Sequence, residues 1–230
     1  TGASTAQTFG ADELDITMTI TGSAGADSIV ATTNNGNEGV AAMTGVETLT
    51  LNVAGGTSVF DFAKVTGLTK LKVNDDNTGR SFTATDLADG VAIDVETGAT
   101  GNTLVIDQLN KAGAANSQSI TLKTADDATD TLNINVSDVE TINLTASDAD
   151  SPIVNLSTSA MTTPGATSTL NISGTAAATL AAVHTDIKTI DASGMTTGGS
   201  VVQTGRSTTG AVDYTGSVGN DTLIMMNSGD

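Results

Sequence analysis

Cysteine and tryptophan are absent from this 230-residue chain, which also has a single tyrosine, a single histidine, two prolines and four phenylalanines. Without thiols there are no disulfides, no thiolate chemistry and no Cys/His zinc sites. An extracellular bacterial protein can do without cysteine, so the compartment stays open, and stability has to come from another source. Aromatic residues make up 2% of the chain, which leaves little for the ring platforms on which sugars stack. Bases are scarce too: 26 Asp and Glu face 8 Lys and Arg, a net charge of −18 in a chain with only 15% charged residues. A field of that sign repels nucleic-acid phosphates and anionic lipid surfaces and attracts cations, divalent ones most strongly. No apolar run approaches the roughly 18 residues that span a bilayer as a helix. The chain starts at Thr1 with neither the charged nor the apolar region of a signal peptide, so a mature segment or a piece of a longer polypeptide is expected.

Threonine, glycine (25 residues) and aliphatics are what the chain has in quantity, with hydrophobic residues at 38%. That mixture suits short strands and turns. Period-2 alternation recurs in Ile16-Thr17-Met18-Thr19-Ile20, Leu49-Thr50-Leu51-Asn52-Val53, Leu71-Lys72-Val73, Val91-Ala92-Ile93-Asp94-Val95, Leu132-Asn133-Ile134-Asn135-Val136, Ile142-Asn143-Leu144 and Leu170-Asn171-Ile172. Each puts aliphatics on one face and polar side chains on the other. A 3.6-residue period is nearly missing, and residues 61–65 and 176–184 are the two places where a single helical turn is expected.

A strand motif repeats at long range. Val46-Glu47-Thr48-Leu49-Thr50-Leu51, Leu68-Thr69-Lys70-Leu71-Lys72-Val73, Val139-Glu140-Thr141-Ile142-Asn143-Leu144 and Ile187-Lys188-Thr189-Ile190-Asp191-Ala192 share one order of apolar and polar positions, and their starts lie 22, 71 and 48 residues apart. Those intervals correspond to one, three and two units of about 22 to 24 residues, the length of one β-solenoid coil. A turn motif occurs near each end: Thr21-Gly22-Ser23-Ala24-Gly25-Ala26-Asp27-Ser28-Ile29 and Thr215-Gly216-Ser217-Val218-Gly219-Asn220-Asp221-Thr222-Leu223. The glycines suit a tight turn, the aspartate supplies an oxygen ligand and the aliphatic anchors the next strand.

These turns resemble the calcium-binding RTX nonapeptide, departing from it at Ser23 and Ser217, where that family has a second glycine. With the Val-Glu-Thr strands and the Ile190-Asp191-Ala192-Ser193-Gly194 step, the chain is similar to the Thr/Ala/Asn-rich body of RTX-like bacterial surface-layer proteins. The resemblance implies a right-handed parallel β-solenoid stiffened by Ca²⁺, type I secretion and a structural role in a lattice at the bacterial cell surface.

Candidate calcium ligands are Asp27 and Asp221, with Gly25, Gly219 and Asn220 beside them. Further acidic clusters are Asn74-Asp75-Asp76-Asn77, Asp126-Asp127 with Asp130, and Asp148-Ala149-Asp150. Calcium takes 6 to 8 oxygens; solvated turn carboxylates are the bland alternative, and none of these clusters fits the EF-hand loop. Asn133, Asn135, Asn143, Asn155 and Asn171 are expected to form ladders along a solenoid face, and the Asn-x-Ser/Thr triplets among them are read as a by-product of composition. No regular Thr-x-Thr array points to ice or glycan binding. His184 is the single histidine, and no nucleophile elbow, His-Glu-x-x-His helix or phosphate loop occurs, so an enzyme is not expected.

The expectation is therefore one elongated all-β domain over residues 1–230, a solenoid with aliphatics inside and Thr, Asn and Asp outside, with any subdivision falling near 98–116. A stacked β-sandwich is the alternative fold. The expected function is a calcium-dependent, self-assembling, extracellular surface-layer protein whose first partner is itself and whose second is cell-surface polysaccharide, with no nucleic acid and no membrane insertion. A stalk or ligand-binding segment of an RTX adhesin is the alternative, and a polysaccharide-active β-helix enzyme the third reading.

Overall fold

Strands with one aliphatic edge need that edge covered, and this chain covers it by stacking on itself. The computed structural model describes residues 7–9, 18–33, 36–38, 42–75, 77–97, 101–109, 116–123, 131–137, 139–147, 153–157, 168–183, 187–196, 201–207 and 212–226. Among these residues every regular element is a strand, and the strands pair in parallel throughout three sheets of ten, nine and three strands. The molecule is a parallel β-solenoid.

The chain visits the sheets in rotation. Ser28–Thr33 lies in the ten-stranded sheet, Gly36–Glu38 in the nine-stranded sheet and Ala42–Thr44 in the three-stranded sheet, after which Thr48–Val53 returns to the first. Among the described residues the three-stranded sheet ends at Val65–Thr66. From there a short turn at Ala88, Asp89 and Gly90, the last at φ +82°, carries the chain from Ser81–Leu87 straight back to Ala92–Thr97. Of the region 98–116, residues 98–100 and 110–115 lie outside the described residues; beside them Val95 pairs with Leu122 and Ile106 with Val136.

Alternation fixes which side chains point inward. Ile29, Leu49, Leu71, Ile93, Ile120, Leu144 and Ile172 are successive register partners and form one buried aliphatic column. The coil length along it ranges from 20 residues, Ile29 to Leu49, to 28, Leu144 to Ile172. Burying such a side chain stabilises by about 1.5–3 kcal/mol, and the column repeats that gain in each coil, so a core with few aromatics suffices. The four motif strands all fall in the ten-stranded sheet, one, three and two coils apart, as their spacing requires.

Outward positions form polar ladders. Asn74 donates to Asn52 at 3.1 Å and Asn171 to Asn143 at 2.8 Å, while Thr145 and Ser173 share a hydrogen bond of 3.0 Å. Asn143-Leu144-Thr145 lies directly on Asn171-Ile172-Ser173, so these sequon-like triplets are two neighbouring ladders with an aliphatic between them.

Neither expected helical turn is present. Residues 176–184 contribute the strand Ala178–Val183, because Ala176, Ala178 and Leu180 are alternate inward positions in which small alanines fill the core. At 61–65 the strand Thr57–Asp61 ends in a tight turn: the Asp61 carboxylate accepts the Ala63 N–H at 2.8 Å and the Phe62 carbonyl accepts the Val65 N–H at 2.9 Å.

Candidate functional site

The two turn motifs fold alike. In the first, the Ser23 N–H donates to one oxygen of Asp27, the Ser23 hydroxyl donates to the other at 3.3 Å, and the Gly25 N–H donates to that hydroxyl at 3.3 Å. In the second, Ser217 N–H and hydroxyl donate to Asp221 at 2.7 and 2.8 Å, and the Gly219 N–H to the Ser217 hydroxyl at 3.0 Å. The serine that stands in the place of the family's second glycine thus closes each turn on its own aspartate, using both carboxylate oxygens once. A Cβ at Gly22 would lie 2.7 Å from an Asp27 oxygen and 1.7 Å from the Gly45 carbonyl oxygen, and one at Gly216 would lie 2.5 Å from an Asp221 oxygen. The glycine ahead of the serine is therefore a steric requirement. Asn220 is exposed at the tip.

The two turns occupy different corners. Residues 22–27 lead from Thr19–Thr21 in the three-stranded sheet into Ser28–Thr33 in the ten-stranded sheet; residues 216–221 lead from Asp213–Thr215 in the ten-stranded sheet into Thr222–Met226 in the nine-stranded sheet. They stand at opposite ends of the stack and cannot share an ion. Tyr214 neighbours the second turn. Its burial first, then the Asp221 carboxylate, push its phenol up to about 12.

Asp75 sits apart from these turns. It occupies an inward position after Leu71 and Val73 and is buried. Its carboxylate accepts the Asn77 N–H at 3.1 Å and faces the Arg80 guanidinium at 3.8 Å, while Arg80 also donates to the Val53 carbonyl. Asp76, Asp127 and Asp130, with Asp126, Asp148, Asp150 and His184, lie outside the described residues. Among the described residues no three carboxylate or imidazole groups converge as a metal cluster; each turn offers one carboxylate and main-chain oxygens, short of the 6 to 8 that calcium takes unless water completes the shell.

Two further arrangements connect successive coils. The first explains the Glu of the Val-Glu-Thr motif. Glu47 accepts the Asp27 N–H of the preceding coil at 2.7 Å, and the Asp27 carbonyl accepts the N–H groups of Glu47 and Thr48 at 3.2 and 3.1 Å. Glu140 repeats this on Asn116 with distances of 2.7, 3.2 and 3.1 Å. The second is an ion triad on the outer face of the ten-stranded sheet: Lys70 and Lys123 both reach one oxygen of Asp94, at 3.0 and 2.8 Å. Burial alone would raise the Asp94 carboxyl, but the hydrogen bonds and charges of Lys123 and Lys70 outweigh it and hold the group below the ordinary carboxylate value. The sequence signals only that a lysine stands beside Asp94, since Lys72, 22 residues away, is its register partner; the two lysines that reach its carboxylate come from diagonal positions, Lys70 paired with Ala92 and Lys123 paired with Glu96. The Glu clip has no such signal, because its donor is a main-chain group.

Chemically, the arrangement couples coil to coil: carboxylates clip main-chain N–H groups, amides and hydroxyls form ladders, and lysines cross three strands. Comparison with protein-family models, with curated proteins and with solved structures finds no match for this chain.

Proposed function

We propose that this chain is a structural building block, a stiff β-solenoid of an extracellular, calcium-dependent surface layer on a bacterial cell, and that it assembles with copies of itself. The observation that supports this reading is the investment of its outward polar side chains in coil-to-coil contacts: Asn52 with Asn74, Asn143 with Asn171, Thr145 with Ser173, and Asp94 with two lysines. Such ladders stiffen a rod and give it a regular flank, which are properties a lattice subunit needs. Calcium acts in this reading as the ion that cancels part of the −18 charge and lets acidic copies approach; extracellular calcium sites work at roughly 10⁻⁴ to 10⁻³ M.

The test follows thermal unfolding and light scattering in EGTA, in millimolar calcium and in matched magnesium. A calcium-specific rise in Tm with growth of large particles is the expected result, blunted by Asp221→Ala. Particles that never form, with a Tm indifferent to calcium, would overturn both the assembly and the ion.

A further inference from the structure

In this acidic chain one described surface gathers several lysines. Lys70 and Lys72 on one strand and Lys123 two strands further along the ten-stranded sheet are three of its 8 basic residues. They surround Asp94, whose side chain is 6% exposed beneath lysine side chains that are 40% and 43% exposed. Solvent therefore meets ammonium groups with the carboxylate below them, already held in place by it, so little further side-chain entropy is lost when they meet a partner. Exposed Glu96, paired in register with Lys123, is the other charge in these rows. Three lysines against two carboxylates leave the patch positive. The outward positions of the flanking strands are uncharged, Thr48, Thr50 and Asn52 on one side and Asn143 and Thr145 on the other, with Glu47 at the corner ahead of Thr48.

The nine-stranded sheet carries the complement over the same coils. Asp61 is the register partner of Thr85, Asp86 forms a bulge next to it, and Asp107 falls opposite that bulge on the next strand. Asp61 and Asp89 are exposed, and Asp86 and Asp107 half-exposed. Lys64 follows Asp61 at the same corner, so among the described residues carboxylates outnumber amines along this ridge. Carboxylates in neighbouring coils stand about 4.8 Å apart and repel one another, and the lysines of the patch, two strands apart, are spaced about twice as far along the same stack.

We propose that the lysine patch of one copy docks on the Asp61–Asp86–Asp107 ridge of a second copy. Patch and ridge are different surfaces, so the contact is heterologous: it leaves a free patch at one side and a free ridge at the other, and extends into an open row instead of closing a dimer. This rests on the self-assembly reading above and names the surface through which it occurs.

The experiment uses sedimentation velocity of the full chain at low ionic strength, with and without millimolar calcium. Lys72→Glu makes both surfaces acidic, and the double variant Asp61→Lys, Asp89→Lys makes both basic. Each alone is expected to associate roughly ten-fold more weakly than wild type, while an equimolar mixture of the two recovers association, and the differences shrink as salt shortens the screening length below about 8 Å. Lys72→Gln, which adds no charge beside Asp94, gives the same direction if Lys72→Glu loses its cooperative melt. Wild type and Lys72 variants that associate equally would overturn this contact and leave self-assembly standing. A wild type that stays monomeric in every condition would overturn both.

Discussion

The Glu47 and Glu140 clips have the same geometry in different surroundings, which makes them a controlled comparison. Truncating the glutamate to alanine removes the acceptor used by an N–H in the coil before it. Asn116 is 3% exposed, so its N–H meets no bulk water when Glu140 is gone and bears the desolvation penalty of about 1–3 kcal/mol. Asp27 is half-buried in a surface turn, where water replaces the lost acceptor, and the cost of Glu47→Ala falls to about 0.5–1 kcal/mol. Glu140→Gln keeps a carbonyl oxygen but no charge, and recovers roughly half the loss. Because solenoid coils interact mainly with their neighbours, the effect belongs to the coils around Asn116, and amide exchange by mass spectrometry reads it locally beside urea unfolding. Peptides spanning Asn116 should exchange about five- to a hundred-fold faster in Glu140→Ala, each 1.4 kcal/mol being tenfold. Equal costs at the two positions, or a larger one at Glu47, would refute the argument that burial of the clipped N–H sets its worth.

Three other outcomes follow from particular contacts. Gly22→Ala drives a Cβ to 1.7 Å from the Gly45 carbonyl oxygen and displaces backbone that carries the 2.7 Å Gly22–Thr44 hydrogen bond, and should cost more than Gly79→Ala, where φ is +72° but nothing lies within 4 Å and only about 1–2 kcal/mol of left-handed strain applies; equal midpoints in urea would contradict this. Asp94 holds fewer protons folded than unfolded, so its contribution is present above the ordinary Asp value of about 3.9 and is lost as pH falls through its lower folded value; Asp94→Asn should flatten the acid limb of the stability curve, and an unchanged limb would count against the triad. Tyr214 holds its proton longer folded than unfolded, so stability declines as pH rises from about 10 to about 12; as the only tyrosine in a chain without tryptophan, its phenolate absorbance should titrate near 12, and lower in Asp221→Asn, whereas an ordinary midpoint would contradict the burial of the ring and an Asp221→Asn variant with the wild-type midpoint would remove Asp221 as its neighbour.

Much of the fold is legible because inward positions in the ten-stranded sheet are almost strictly aliphatic, so the period of 2 shows in single strands and the coil length in the spacing of motif strands. Alanine hides the same signal at Ala176 and Ala178, which read as helix formers yet are inward residues where a coil has room for little else. Adjacency to Asp76 suggests a surface chelator at Asp75, whereas its phase after Leu71 and Val73 already turns it inward, against Arg80. Ser23 and Ser217 look like defects in a metal motif and are instead the donors that close the turns. What single-strand patterns omit is the neighbour one coil away: Lys70 and Lys123, 24 and 29 residues from Asp94, meet it only when neighbouring coils are placed side by side, and the glutamate clips depend on a carbonyl and an N–H that any residue would supply.

An acidic chain that stacks on itself brings like positions into adjacent rows about 4.8 Å apart, so every unpaired carboxylate risks a repulsive column. The two large sheets meet that difficulty differently. On the ten-stranded face, signs alternate along the register: Lys72 stands beside Asp94, and Glu96 beside Lys123, while the rows at Asn52 and Asn74 and at Asn143 and Asn171 carry no charge. Over the three strands Lys70–Asp75, Ala92–Thr97 and Ser117–Lys123, three lysines face the two outward carboxylates Asp94 and Glu96. On the nine-stranded face, Asp61, Asp86 and Asp107 follow one another at the ends of consecutive strands with no cation alternating between them in register. A divalent ion or the lysine of another copy can add charge relief to this row from outside the coil stack, and the two compete for the same oxygens. Calcium at moderate concentration then screens copies enough to meet, while a large excess, by occupying the ridge, should weaken the lysine contact again; association that rises and then falls with calcium is the signature of one acidic surface serving both, and a plateau would assign the ion to other carboxylates.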